Sequence, residues 1–299
     1  MYDIIVVGAG PAGISAGIYG VSRGKQVLLL EKGEVGGLIG KVSTVTHYAG
    51  IVPGETGDSF AQRMKQQALD AGVEIRSETV ERVQMQGDVK TVVTNLGQYQ
   101  CKKLILANGT TGRKLGIPGE QELAGKGMGI NAAKHGSSYA GKHVYVVGGA
   151  DGAVKEALYL AGLAEKVTII HFEPQLGCIA EFRDKVKKTR NIQLMLNTRL
   201  HAVYGEDQVE RLELRSELDG SITTVEDPGC GIFVYAGTVP NTQLYTELEL
   251  QDGYIPVNDW METQISGVYA VGDIRVKQVR QVATAVADGA TAAVHACIG

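Results

Sequence analysis

Twice in this chain a short apolar strand runs into a glycine-rich turn, the turn opens a helix, and a second apolar strand follows. The first instance is a strand over residues 3–7, a turn over 8–13, a helix over 14–23 and a strand over 25–30 closing at Glu31. The second is a strand over 143–147, a turn over 148–153, a helix over 154–161 and a strand over 167–171. A strand, helix, strand succession of this kind closes only as a parallel pair with the helix packed over it. Each unit is followed by alternating apolar and polar residues, over 73–106 and 192–224, which read as β-meanders. Residues 113–119 and 237–242 read as linkers, and past the second one a strand over 268–271 and an alanine-rich helix over 284–296 complete the first unit. The pattern predicts an α/β chain of two Rossmann-like, three-layer ββα domains, one inserted in the other. The discontinuous domain covers 1–113 and 243–299, and the inserted one covers 114–242.

Composition allows this and narrows the partners. With 299 residues and 44% hydrophobic content the chain can bury two cores. A net charge of −4 gives no drive toward nucleic acid or an acidic membrane surface. No apolar run approaches the roughly 20 residues of a membrane span, and residues 1–3 lead straight into a strand, so no signal peptide is read. The four cysteines (Cys101, Cys178, Cys230 and Cys297) lie far apart, with neither metal-ligand nor Cys-x-x-Cys spacing. No metal site is expected, and reduced thiols in a cytoplasmic protein are.

The first turn carries the chemistry of a dinucleotide site. In Gly8-Ala9-Gly10-Pro11-Ala12-Gly13, Gly8 makes the tight turn, Gly10 lets a pyrophosphate approach the backbone, and Gly13 lets helix and strand pack closely. The helix N-terminus, with Pro11 and Ala12 in its first turn, faces the phosphates. Glu31, followed by Lys32, stands where an acid accepts hydrogen bonds from ribose hydroxyls.

These residues resemble the start of the low-molecular-weight thioredoxin reductases, and the likeness runs through most of the chain. It continues in Gly36-Gly37, in Ala107-Asn108-Gly109-Thr110 with Ile117-Pro118-Gly119-Glu120, and in residues 235–242. It ends in Gly272-Asp273-Ile274-Arg275 and residues 280–293. The resemblance implies an FAD-binding discontinuous domain, an inserted NAD(P)-binding-type domain, oxidoreductase activity and a homodimer. It implies that Asp273, after Gly272, binds the ribityl chain. It also implies that Arg280, Gln281, Val282 and Ala283 bring a helix N-terminus to the flavin, where its positive end favours the reduced form. Gly37, Leu38, Ile39 and His47 belong to the same expected site. The family commonly has Gly-Gly-Gln-Leu and Glu-Asn-x-Pro-Gly where this chain has Gly36-Gly37-Leu38-Ile39 and Thr46-His47-Tyr48-Ala49-Gly50. His47 is therefore a candidate to tune the flavin or carry a proton, or else a hydrogen-bonded turn residue.

Two departures bear on the reaction. In the second turn, Gly148-Gly149-Ala150-Asp151-Gly152-Ala153, the middle glycine of the family's NADPH motif is Ala150. The arginines that grip the 2′-phosphate are replaced by His171-Phe172-Glu173, and an acid repels a phosphate that an Arg fork would hold. NADPH is not expected in the usual mode. NADH, or a second flavin nucleotide, are the candidates for this cleft. The second departure is the segment 129–136, where the family's Cys-x-x-Cys positions hold Asn131 and Lys134, followed by His135. A flavin-to-disulfide relay cannot pass through them, whereas Lys134 and His135 could protonate a substrate. Some thioredoxin-reductase-like flavoproteins with degenerate nucleotide motifs take electrons from ferredoxin, so a ferredoxin or other small redox protein is an expected partner. An acidic partner would dock on Lys185, Lys187, Lys188 and Arg190, or on Arg275, Lys277 and Arg280. The alternatives are an NADH-dependent flavin reductase, a disulfide reductase with cysteines relocated to Cys178 and Cys230, and a non-catalytic flavin-binding regulator.

Overall fold

The structure, a computed structural model, describes residues 1–129 and 131–298. It divides into two compact units, Met1–Thr111 with Val239–Gly299, and Gly112–Thr238.

The first unit opens with β1 (Tyr2–Val7), α1 (Pro11–Val21), β2 (Val27–Glu31), α2 (Gly57–Asp70), β3 (Glu74–Ser77), β4 (Val80–Gln84), β5 (Lys90–Thr94), β6 (Gln98–Leu106) and β7 (Thr110–Gly112). The inserted unit holds α3 (Ala132–His135), β8 (His143–Val147), α4 (Asp151–Leu160), β9 (Lys166–Ile170), α5 (Ala180–Lys188), β10 (Ile192–Met195), β11 (Thr198–Tyr204), β12 (Arg211–Ser216), β13 (Ile222–Glu226) and β14 (Gly231–Val234). The chain returns through β15 (Thr238–Pro240), which pairs with β7, and ends in β16 (Val268–Ala270) and α6 (Val282–Ile298).

The sheet of the first unit runs β3-β2-β1-β6-β5-β4, with β16 on the C-terminal part of β6. β1, β2, β3, β6 and β16 are parallel, and β4-β5-β6 is antiparallel. A second sheet, β10-β9-β8-β14, is wholly parallel, and β11-β12-β13 forms an antiparallel meander. The two-domain Rossmann-like class expected from the sequence is the observed one.

Two stretches read as meander begin instead with a parallel strand. β3 lies beside β2 and β10 beside β9. The reason is the same in both places: a helix, α2 or α5, precedes the strand, and a crossover helix returns the chain parallel to the strand before it.

Parallel strands covered on both faces read as continuous apolar runs. Val27, Leu28, Leu29 and Leu30 of β2 are all buried. Alternation sorts each strand between two cores. In β1, Ile4 and Val6 pack toward α1 and α6, whereas Ile5 and Val7 join Leu104, Tyr245 and Ile255 on the other face. In β8, Val144 and Val146 face α4 and Phe182, whereas Tyr145 and Val147 face the meander. At roughly 1.5–3 kcal/mol for each large apolar side chain fully buried, these cores dominate the stability of both units.

Candidate functional site

The first glycine turn is built by close approach. Gly8 has φ +104°, and a Cβ there would lie 2.5 Å from the Ala107 oxygen. One on Gly13 would lie 1.9 Å from the Gly8 oxygen, so α1 can start this close to β1 only without side chains. Glu31 ties the turn to β2: its Oε2 accepts from the Ala9 N–H at 2.8 Å and its Oε1 from the Gly33 N–H at 2.9 Å. Gly37 lies against Gly10, its added Cβ 3.3 Å from the Gly10 Cα. Lys32 and Leu38 are exposed, and Ile39 starts a short 3₁₀ turn.

The decisive feature is the space at Gly10. A methyl there would meet no protein atom within 4 Å. Gly10 is also the N-cap of α1, with Pro11 at the start of the helix, no side-chain cap and no acid in the first turn. Backbone N–H groups and the positive helix end therefore face an open cradle, which suits a pyrophosphate. The residues present fit a dinucleotide.

The rest of the expected flavin site lies in the same unit. Asn108 is a strap, its Oδ1 accepting from the Tyr245 hydroxyl at 2.5 Å and its carbonyl from Asn241 Nδ2 at 2.7 Å. It lies between buried Ala107 and Gly109, which has φ +58°. Burial raises the Asp273 carboxyl above its ordinary value, against the opposing pull of Lys277 and Arg280. α6 starts at Val282 and Ala283 with no acid in its first turn, and Thr284 receives the Gln281 N–H at 3.2 Å. Arg280 stacks on Tyr254 at 4.3 Å, and its Nε is buried without a hydrogen-bond partner. His47 is exposed with Nδ1 3.0 Å from Thr46 Oγ1, while Tyr48 packs edge-on against Phe60.

The inserted unit repeats the turn with different side chains. Gly148 has φ +133° and its added Cβ would sit 2.4 Å from the Tyr235 oxygen. Ala150 (φ −83°, ψ 175°) has nearly the backbone of Gly10 (φ −74°, ψ −178°), so its methyl occupies the space that Gly10 leaves open. Asp151 puts an acid into the first turn of α4, and its Oδ1 accepts from the Ile179 N–H at 2.8 Å. Gly152 is exposed and Ala153 is buried against the turn. The His171 ring rests on Gly149, and its Nε2 lies 3.1 Å from Glu173 Oε2. Phe172 is exposed beneath the Arg199 guanidinium at 4.3 Å, and Arg199 also pairs with Glu217 at 3.0 Å.

Segment 129–136 forms a capped turn, of which Ile130 lies outside the described residues. Asn131 is the N-cap of α3, its Oδ1 accepting from the Lys134 N–H at 2.9 Å. His135 reaches back, its Nδ1 accepting from the Asn131 N–H at 3.1 Å. The side chains of Lys134 and His135 are exposed.

Two expectations are corrected. Cys178 and Cys230 do not form a relocated disulfide: both are free and buried, in cores on opposite faces of the β10-β9-β8-β14 sheet. Burial pushes the Cys230 thiol up to about 12 and raises Cys178 as well, which disfavours the reactive thiolate. Arg275 and Lys277 are no docking surface either, because both are turned in onto Asp288 and Lys277 is only 5% exposed. On α5, Lys185 and Lys187 are exposed but paired with Glu181 and Asp184.

Two clusters escaped the sequence reading. Asp288, inside the alanine-rich α6, gathers Arg275, Lys277 and the Gly272 N–H. In the inserted unit, His143 bridges Asp227 (Nδ1, 2.6 Å) and Thr168 (Nε2, 2.8 Å), and Tyr145 donates to the same Asp227 oxygen. A lone acid in an apolar helix was a readable signal for the first. The second joins residues up to 84 positions apart, from His143 to Asp227, with no local signal.

Fold and turn together define an α/β dinucleotide-binding protein of the flavoprotein type. The chain belongs to the pyridine nucleotide-disulphide oxidoreductase family, whose model matches residues 2–289, and within it to the thioredoxin-reductase-like members. It is 38% identical to the thioredoxin reductase of Peptoclostridium acidaminophilum over 302 residues, covering 99% of this chain and 96% of that protein. Among solved structures it is similar to Lactococcus lactis thioredoxin reductase, with a TM-score of 0.95, 32% identity and coverage of 99% and 98% of the two chains. It is also similar to a ferredoxin-flavin thioredoxin reductase from Clostridium acetobutylicum, with a TM-score of 0.54, 29% identity and coverage of 99% and 97%. Oxidoreductase activity with FAD follows from the family. No described helix is long and apolar enough to cross a membrane.

Proposed function

We propose that this chain is an FAD-dependent oxidoreductase that works without a redox-active dithiol, passing electrons between a small protein donor of the ferredoxin kind and a separate acceptor. One observation carries the reading. The sequence contains no Cys-x-x-Cys, and Asn131, at the first of the two cysteine positions implied by the resemblance, is spent on capping α3. Asn and Lys cannot alternate between thiol and disulfide.

In this reading the turn from Gly8 to Gly13 and Glu31 hold the adenosine and phosphate end of FAD, and Asp273, Gln281 and the first turn of α6 hold the flavin end. Bound FAD supplies the redox chemistry. The protein binds and orients it, and Lys134, His135 and His47, all exposed, are the proposed proton-handling groups. A homodimer is proposed on the resemblance.

NADPH is disfavoured as the donor. The Ala150 methyl stands at the step of the turn that Gly10 leaves bare in the first unit, and Glu173 stands three residues past β9 with Arg199 engaged elsewhere. A ferredoxin-like donor is supported by the similar protein whose name includes ferredoxin. Glu173 favours a second reading, in which NADH binds with this acid on its ribose. A second flavin nucleotide remains the other candidate occupant.

Anaerobic reductive titration tests the reading. FAD alone takes up about two electrons, and an active disulfide adds about two more. The expected uptake is about two per bound FAD; about four would overturn the proposal.

A further inference from the structure

α6 is an alanine-rich helix with one acid in its buried face, and that acid is saturated. Asp288 Oδ2 accepts from the Gly272 N–H at 3.0 Å, from Arg275 Nε at 2.8 Å and from Lys277 Nζ at 2.8 Å, while Oδ1 accepts from Arg275 Nη2 at 2.7 Å. Asp288 and Lys277 are each about 5% exposed. Removing one partner from such a cluster strands a buried charge, so the cluster holds its geometry tightly.

Its location gives it a purpose. Gly272 to Lys277 is the turn that carries Asp273, the expected ribityl ligand. Gly289, next to Asp288, touches the start of α1: a Cβ there would lie 2.1 Å from the Ala12 oxygen. Gly272 meets Ala12 as well, its added Cβ 3.0 Å from the Ala12 Cβ. One helical step of α6 thus registers the phosphate-side turn against the ribityl-side turn.

We infer that Asp288 is a positioning residue for the flavin site, locking the Asp273 turn onto α6 and α1 so that both ends of the bound dinucleotide meet preset backbone. The inference rests on the FAD reading above. Arg275 and Lys277 act in it as tethers, with Arg275 also held to the Val276 carbonyl at 3.0 Å. Burial works against the Asp288 carboxylate, but hydrogen bonds from Arg275 and Lys277 outweigh it and hold the group below its ordinary value, so the anchor stays charged.

The test compares wild type, Asp288→Asn and Lys277→Gln. Apoprotein of each is titrated with FAD, and the visible-region circular dichroism of the bound flavin is recorded. Far-ultraviolet circular dichroism of each apoprotein checks folding. Asp288→Asn, folded, is expected to bind FAD at least about tenfold more weakly and to show an altered flavin signal. Lys277→Gln, which removes one tether, is expected to lose about three- to tenfold and decides the matter if Asp288→Asn does not fold. Wild-type affinity and an unchanged flavin signal in the folded variants would overturn the inference while leaving the FAD reading intact. A folded wild-type protein that binds no FAD would overturn both.

Discussion

At the scale of single residues, Gly10 and Ala150 are a matched pair. They share a backbone conformation at the same step of the same turn, and they differ by one methyl. Gly10→Ala puts that methyl into the open cradle of the first unit without touching protein, so stability should change little while FAD affinity falls about tenfold or more, as expected when close phosphate approach is blocked. Equilibrium titration of the apoprotein with FAD, beside thermal unfolding, separates the two effects. The reverse change, Ala150→Gly, reopens the second cradle. It should raise affinity for a nicotinamide dinucleotide, read by calorimetric titration with NADH, and no gain would remove Ala150 as the obstacle. The sequence displayed both positions plainly, because a glycine motif reports backbone approach directly. It did not display what Asn131 does. A residue at a lost catalytic position can be drift or structure, and only the hydrogen bond to the Lys134 N–H shows that it caps α3. Arg275 and Lys277 misled for a related reason: charge in sequence gives no direction, and both turn inward to Asp288, 11–13 residues further along the chain in α6.

At the scale of elements, α6 depends on contact without side chains. Gly289→Ala would place a methyl 2.1 Å from the Ala12 oxygen. Overpacking of that kind costs about 1–3 kcal/mol, and here it should also release FAD, measured as flavin retained through purification. The start of the β8–β9 pair carries a pH-dependent element. Burial depresses His143 below its ordinary value, and Lys166 adds to this, while Asp227 and Glu165 pull it up. Tyr145 packs against the ring at 4.2 Å and Thr168 faces Nε2. The unfolded chain therefore binds the proton more readily than the folded one. The contribution of His143 is intact above about pH 6.5 and is lost as pH falls from there through the folded value. Denaturant unfolding between pH 8 and 5 should show that loss in wild type and not in His143→Gln. A parallel slope in the variant would assign it elsewhere. The βαβ units were legible because apolar runs and glycine turns are local signals. The placement of β3 and β10 was not, since an alternating strand reads alike whether a hairpin or a crossover helix delivers it.

At the scale of the whole molecule, the chain keeps the family's dinucleotide architecture, and its sequence contains no Cys-x-x-Cys. The glycine turn of the first unit is open at Gly10, whereas that of the second carries the Ala150 methyl, with the His171 ring on Gly149 and the exposed Glu173 against His171. On the reading proposed above, electrons enter by a route other than NADPH. Anaerobic mixing of the oxidised, flavin-loaded protein with NADPH, NADH and a reduced ferredoxin in turn, following flavin absorbance near 450 nm (a generic flavin band, roughly placed), tests this most directly. The account predicts rapid bleaching by the reduced ferredoxin and slow or no bleaching by NADPH. Rapid bleaching by NADPH would contradict it.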